Sequence, residues 1–162
     1  MTLRYVQPRA TAEGDAALYE ALAPELVGFA CGLVGRDDAP DVLGNAVTNA
    51  LASRTWPTVE NRRAYLYRAV LNEAKALRRR AALRRDREAW ADARTTWELP
   101  EFRPEVRVAV DALSVQQRAV ILLTYWADLD TGSVAELLGI SDGSVRRHLA
   151  RGRARLREVL DV

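Results

Sequence analysis

A chain of 162 residues with 49% apolar side chains can bury a real core, which excludes wholesale disorder, and its one cysteine, Cys31, excludes an internal disulfide framework. The formal charge of +2 conceals a segregation: residues 1–60 hold four basic and eight acidic side chains, residues 61–87 hold ten basic against Glu73 and Asp86, and residues 143–157 hold six arginines and no acid. Two separate basic stretches in a near-neutral chain point to two surfaces for a polyanion.

Abundant Ala, Leu, Arg and Glu with little period-two alternation predict an all-α protein. Residues 1–14, with Pro8 and Gly14, read as a tail. Asp15 is placed to cap a short helix through residue 23, and Pro24 to open a second helix that carries Leu26, Phe29, Ala30 and Leu33 and stops at Gly35. A turn at 36–41 leads into a third helix with an apolar stripe of Val42, Ala46 and Ala50, which Pro57 breaks. A long helix follows from about Asn61, with Leu66, Val70, Ala74 and Leu77 at helical spacing, and runs into Arg78, Arg79 and Arg80. Residues 88–104 lose the period and read as a linker. Four short helices are expected beyond it, over 105–113, 115–126, 131–138 and 142–159. The expected architecture is two small helical domains, a bundle over 15–87 and a four-helix unit over 105–162. No signal-peptide core precedes them, and no apolar run approaches the about 20 residues that span a bilayer, so a soluble cytoplasmic protein without membrane insertion is expected.

The strongest local signal lies at 131–149. Ala135 is small where two helices would cross, Gly139 can adopt the left-handed conformation that ends a helix, and Ser141 can cap the next one. Val145, Leu149, Gly152 and Leu156 then face inward, leaving Ser144, Arg146, Arg147 and Arg151 outward. A small residue, a glycine turn and a capped helix with an arginine outer face make a helix-turn-helix that reads the major groove. A merely solvated helix would mix signs, and acids are absent over 143–157. The basic end of the long helix (Arg78, Arg79, Arg80, Arg84, Arg85, Arg87) reads as a phosphate contact, or as a solvated helix end favoured by the macrodipole. Trp56, Tyr65 and Tyr67 at its start are core aromatics or a stacking platform for an unpaired base. Trp90, Trp97, Tyr125 and Trp126 read as core or linker packing. The sole histidine, His148, has no Cys, His or carboxylate cluster around it in sequence and reads as a DNA contact or a solvated side chain, not a metal ligand or catalytic base. No enzyme, cofactor or metal site is implied; Asp37, Asp38 and Asp41 are explained by turn and cap roles.

Three stretches, LSVQQRAVILLTY (113–125), VAELLGISDGSV with RGRARL (134–145 and 151–156) and AYLYRAVLNEA with the arginines after it (64–74), resemble the extracytoplasmic-function sigma factors, and the likeness extends over residues 16–160. The resemblance implies a region 2 that binds the clamp of core RNA polymerase and opens the minus-ten promoter element. It implies a region 4 that binds the minus-thirty-five element and the polymerase flap, and it admits an anti-sigma factor as a partner. It places minus-thirty-five contacts on Ser144, Arg146, Arg147, His148 and Arg151. Minus-ten reading and melting fall to Trp56, Asn61, Arg62, Arg63, Arg68, Asn72, Lys75, Arg78, Arg79 and Arg80, and polymerase contacts to Asp38, Asp41, Val42, Asn45 and Asn49. The chain departs from the family in the clamp helix, where Gly44-Asn45 replaces a Gln and an acid; a central glycine weakens a helix by about 1 kcal/mol. Two other readings stay open: a LuxR-type operator-binding regulator, whose amino-terminal half should show β-strands, and a sigma-like adaptor that no longer supports initiation, which Gly44-Asn45 would favour.

Overall fold

The computed structural model describes residues 12–87 and 104–160, which form seven α-helices and no strand among the described residues. Helix α1 (Ala12–Val34) is continuous through Pro24, where the sequence predicts two helices. An interior proline forfeits a hydrogen bond and costs about 3 kcal/mol locally. One unbroken face, with Leu18, Leu22, Leu26, Phe29, Ala30 and Leu33 all buried, outweighs that cost. Asp15 therefore lies inside the first turn rather than at a cap, and pairs with Arg62 at 3.5 Å. By length and composition α1 could cross a bilayer, against the expectation that no stretch would, but Leu18, Leu22, Leu26, Phe29, Ala30 and Leu33 are core side chains here. Gly35, at φ 91°, ends the helix and donates its N–H to the Cys31 carbonyl at 2.8 Å.

Helix α2 (Ala39–Ala52) turns Val42, Leu43, Ala46 and Ala50 inward. A short 3-10 turn (Trp56–Thr58) leads to α3 (Arg62–Arg87), whose entry is fixed by the Asn61 side-chain oxygen accepting from the Ala64 N–H at 2.9 Å. Leu66, Tyr67, Val70, Leu71 and Ala74 pack α3 against α1 and α2. The expected linker and its Trp90 and Trp97 lie outside the described residues, except Pro104, which opens α4 (Pro104–Asp111). The side chains of Arg84, Arg85 and Arg87 also lie outside them.

Helix α5 (Val115–Ile121) begins with a capping box. The Gln117 N–H donates to Ser114 Oγ at 3.2 Å, and the Ser114 N–H to Gln117 Oε1 at 2.9 Å. In place of one regular helix to residue 126, the chain widens into a π-turn over Leu122–Trp126, closed by the Ala127 N–H on the Leu122 carbonyl at 3.1 Å. Tyr125 and Trp126, expected in packing, are 58% and 62% exposed because this turn faces them outward. Helices α6 (Thr131–Leu138) and α7 (Asp142–Leu160) complete the chain. One hydrophobic core joins the two halves, with Leu26 and Leu33 of α1 and Val70 of α3 in the same cluster as Val120, Leu123 and Val134.

Candidate nucleic-acid interface

The α6–α7 unit is built by local chemistry at each boundary. Asp130 caps α6: its carboxylate accepts the Ser133 N–H at 2.9 Å and the Ser133 hydroxyl at 3.2 Å. Those bonds, the backbone one first, hold its carboxyl below the usual range. At the other end Gly139 takes φ 65° and donates to the Glu136 carbonyl at 3.4 Å, while the Ile140 N–H reaches the Ala135 carbonyl at 3.1 Å. That pair of bonds is a Schellman ending, which needs the left-handed residue at this position. Ser141 Oγ then accepts the Ser144 N–H at 3.1 Å and opens α7. Val145 and Leu149 are buried, and Gly152 lets α7 cross α5 closely: a Cβ there would lie 2.7 Å from the tip of Ile121.

This packing leaves one face of α7 in solvent. Arg146, Arg147 and Arg151 are exposed and Ser144 and His148 half-buried. Arg147 donates to Ser144 Oγ at 3.0 Å and Arg146 pairs with Asp142 at 2.6 Å, so Arg151 is the least engaged of the three. Burial, then Arg151, Arg147 and Lys75, push the His148 imidazole below its usual value, which keeps it neutral at pH 7. Further along, the Arg153 guanidinium sits 5.4 Å from the Tyr125 ring centre.

The second basic surface is less uniform than the sequence implies. Trp56 and Arg62, two of the expected minus-ten contacts, are 3% and 4% exposed. The Arg62 guanidinium lies 5.3 Å from the Trp56 ring and pairs with Asp15, so these side chains hold the α2–α3 connection together from inside. Arg63 is half-buried and bound in two-pronged fashion by Glu25, at 2.9 and 2.7 Å. Tyr67, buried against Phe29 with ring centres 4.9 Å apart, is a core aromatic, and Tyr65 stands edge-on to Trp56. Asn72, Arg79 and Arg80 are exposed; Arg80 lies 3.7 Å from Glu73. Arg78 and Lys75 are half-buried, and Lys75 donates to the Gln116 side-chain oxygen.

On α2, Asp41, Asn45 and Asn49 recur every fourth residue along the exposed face, with Asp38 half-buried ahead of them. Val42, expected among the polymerase contacts, is instead a core residue at 3% exposure, because it shares its face with Ala46 and Ala50. A cleft of about 530 Å³ between α2 and α3 brings Asn49 together with Arg68 and Asn72, residues that the sequence assigns to different partners. Sequence reasoning missed Arg118, whose spacing after Val115 puts it on the inward face of α5. It is 1% exposed and donates to the Leu33 carbonyl at 2.8 Å.

A capped helix-turn-helix with an arginine face, carried on the same all-α chain as a basic helix, defines a DNA-binding transcription protein. The comparisons narrow that class. The family model for sigma-70, region 4 matches residues 103–156. The chain is 31% identical over 144 residues to the RNA polymerase sigma-E factor of Streptomyces antibioticus, covering 77% of this chain and 72% of that protein. It is also 31% identical over 142 residues to the protein of the same name in Streptomyces coelicolor, covering 76% and 72%. In fold it is similar to the sigma factor RpoE solved with the anti-sigma factor NepR from Bartonella quintana (TM-score 0.69, 23% identity, 91% of this chain and 96% of that one). It is also similar to CnrH solved with the cytosolic domain of CnrY (TM-score 0.63, 23% identity, 94% and 90%). The chain belongs to the extracytoplasmic-function sigma factors of RNA polymerase.

Proposed function

We infer that the protein binds core RNA polymerase and directs it to promoters, acting in the cytoplasm and without catalytic chemistry of its own. The observation that carries this is the exposed arginine face of α7 on a capped helix-turn-helix, in a chain whose identity to sigma-E factors runs through both halves. Residues 105–162 act as region 4, with Ser144, Arg146, Arg147, His148 and Arg151 on the minus-thirty-five element, and residues 15–87 as region 2, joined by the linker 88–104. Minus-ten reading and melting fall to Asn61, Arg63, Arg68, Asn72, Lys75 and Arg78 to Arg80, with Trp56 and Arg62 supporting them from the interior. Half-buried Asp38 and the exposed stripe Asp41, Asn45 and Asn49 of α2 meet the polymerase clamp, region 4 meets the flap, and an anti-sigma factor is a further partner. The LuxR-type alternative called for strands in the amino-terminal half, and the described residues there, 12–87, form helices α1 to α3 and no strand.

Run-off transcription with core polymerase, with and without the protein, on promoters of its own genome tests this reading. A specific start that depends on the protein supports it. No such start, together with failure to co-purify with core enzyme, sinks the sigma assignment and leaves a DNA-binding adaptor.

A further inference from the structure

A groove runs along α1 where that helix passes α3 and the π-turn. It encloses about 530 Å³, inside the range of about 300–1,000 Å³ that holds small ligands. Its shape follows from what α1 leaves out. Gly28 has no side chain, and a Cβ built there would meet nothing within 4 Å, so the helix backbone itself forms part of the floor. One turn further on, Gly32 lets Leu122 close against the helix, where a Cβ would lie 2.5 Å from Leu122 Cδ1. Trp126 of the π-turn also lines the groove, and at 62% exposure its ring is apolar surface still in contact with water.

Charge is unevenly distributed along this groove. At the Pro24 end, Arg63 and Glu25 are joined by two hydrogen bonds at 2.9 and 2.7 Å and cancel. At the other end stands Arg36, exposed and making no ion pair with the described residues. Its charge reaches into the groove: burial pushes the Cys31 thiol up, and Arg36 pulls it back down. Between the two ends the lining is apolar, with Gly28, Phe29, Gly32, Leu122 and Trp126. The stretch of α1 from Pro24 to the helix end beside Arg36 is about 15–18 Å long, the length of an extended chain of about twelve carbons.

We propose that this groove binds an alkyl carboxylate of that length, a fatty acid with its carboxylate on Arg36 and its chain laid over Gly28 toward Pro24. The chain supplies the affinity, since each methylene taken out of water is worth about a two- to fourfold change in binding. Arg36 supplies the polarity and selects an anionic head over an ammonium head on the same chain. The paired Arg63 and Glu25 leave no second charge to be matched, which suits a ligand with one charged end. The site stands apart from the promoter reading and is tested without DNA.

The test uses the full chain with sodium dodecanoate kept below its micelle concentration. Intrinsic fluorescence reads the surroundings of Trp126, and the alkylation rate of Cys31, the only cysteine, reads cover of the groove. The expected result is saturable one-to-one binding with slower alkylation and a fluorescence change that Trp126→Phe removes. At a ligand concentration about a hundredfold above the dissociation constant, the melting temperature should rise by about 5–10 °C. Octanoate should bind at least about tenfold more weakly. Gly28→Leu puts a side chain into open space with a better helix former, so the variant folds, and it should abolish saturable binding. Arg36→Glu should weaken dodecanoate by about fivefold or more and strengthen dodecyltrimethylammonium. Binding that survives in Gly28→Leu places the chain elsewhere and overturns the site. Equal affinity of the wild type for the two head groups, or no loss in Arg36→Glu, overturns the carboxylate assignment. A wild-type dimer in sedimentation that Gly28→Leu breaks, with no dodecanoate bound, gives the groove to a second copy instead. Should Gly28→Leu melt early, Arg36→Glu decides.

Discussion

Replacing Arg151 with alanine isolates what the exposed face of α7 contributes. The side chain is exposed and makes no hydrogen bond or ion pair with the described residues, so folded stability should change by less than about 0.5 kcal/mol. If Arg151 holds a phosphate, its loss removes one released counterion, and the slope of log K against log salt becomes shallower by about 0.9. If it grips a base edge with both nitrogens, affinity for the cognate site falls by about 1–3 kcal/mol, or roughly 5- to 150-fold, with the salt slope unchanged. Anisotropy titrations of a duplex between about 50 and 200 mM salt separate the two cases, and a thermal melt monitors the fold. Arg146→Ala is the internal control. That guanidinium is already paired with Asp142 at 2.6 Å, so its loss should weaken DNA binding less and remove only the about 0.3–0.5 kcal/mol of an exposed helical pair. A lower melting temperature for Arg151→Ala with affinity and slope unchanged would refute the outward-face argument.

Gly44→Ala in α2 should stabilise the chain by about 1 kcal/mol, since a Cβ there meets nothing within 4 Å and alanine is the better helix former. A melting temperature raised by about 2–4 °C is the expected readout, and a fall would mean that the helix needs the glycine. Tyr67→Phe should flatten the alkaline limb of the stability curve. Burial, then Glu25, push this phenol from 10 up to about 12, so the folded chain keeps a proton that the unfolded chain has lost. Stability contributed by this group is therefore full below about pH 10 and declines as pH rises toward 12. Denaturant midpoints at pH 9 and 11 for both proteins, of the order needed to bracket that rise, check it.

What could be read from the chain was local chemistry. Gly139, Ser141 and the apolar repeat of Val145, Leu149 and Gly152 locate the helix-turn-helix because each boundary is decided by one or two neighbouring residues. The Ser114–Gln117 capping box and the Asp130 cap were equally visible in their spacing and went unread. Pro24 misled because its local preference is to start a helix, while the face from Leu18 to Leu33 that keeps α1 whole is satisfied only by elements far along the chain, α2, α3 and α5. Trp56 and Arg62 misled for the opposite reason. Both residue types suit DNA, and only the fold brings Asp15 and the Trp56 ring to the Arg62 guanidinium. Nothing in the sequence near Arg118 names Leu33 as its acceptor, because the two are 85 residues apart.

The π-turn at Leu122–Trp126 has a consequence for helix phase. Each residue of a regular helix advances side chains by about 100°, and a π-turn accommodates one residue more than the regular repeat does. From Val115 to Leu123 the inward face keeps ordinary spacing; beyond it the extra residue offsets the rotation, and Tyr125 and Trp126 emerge into solvent. A single-residue deletion within this turn would restore the regular winding and swing that aromatic pair by about a quarter-turn, with no change in composition elsewhere. The direction in which this half of the molecule shows its aromatic surface is thus encoded by the length of a segment rather than by the identity of its residues.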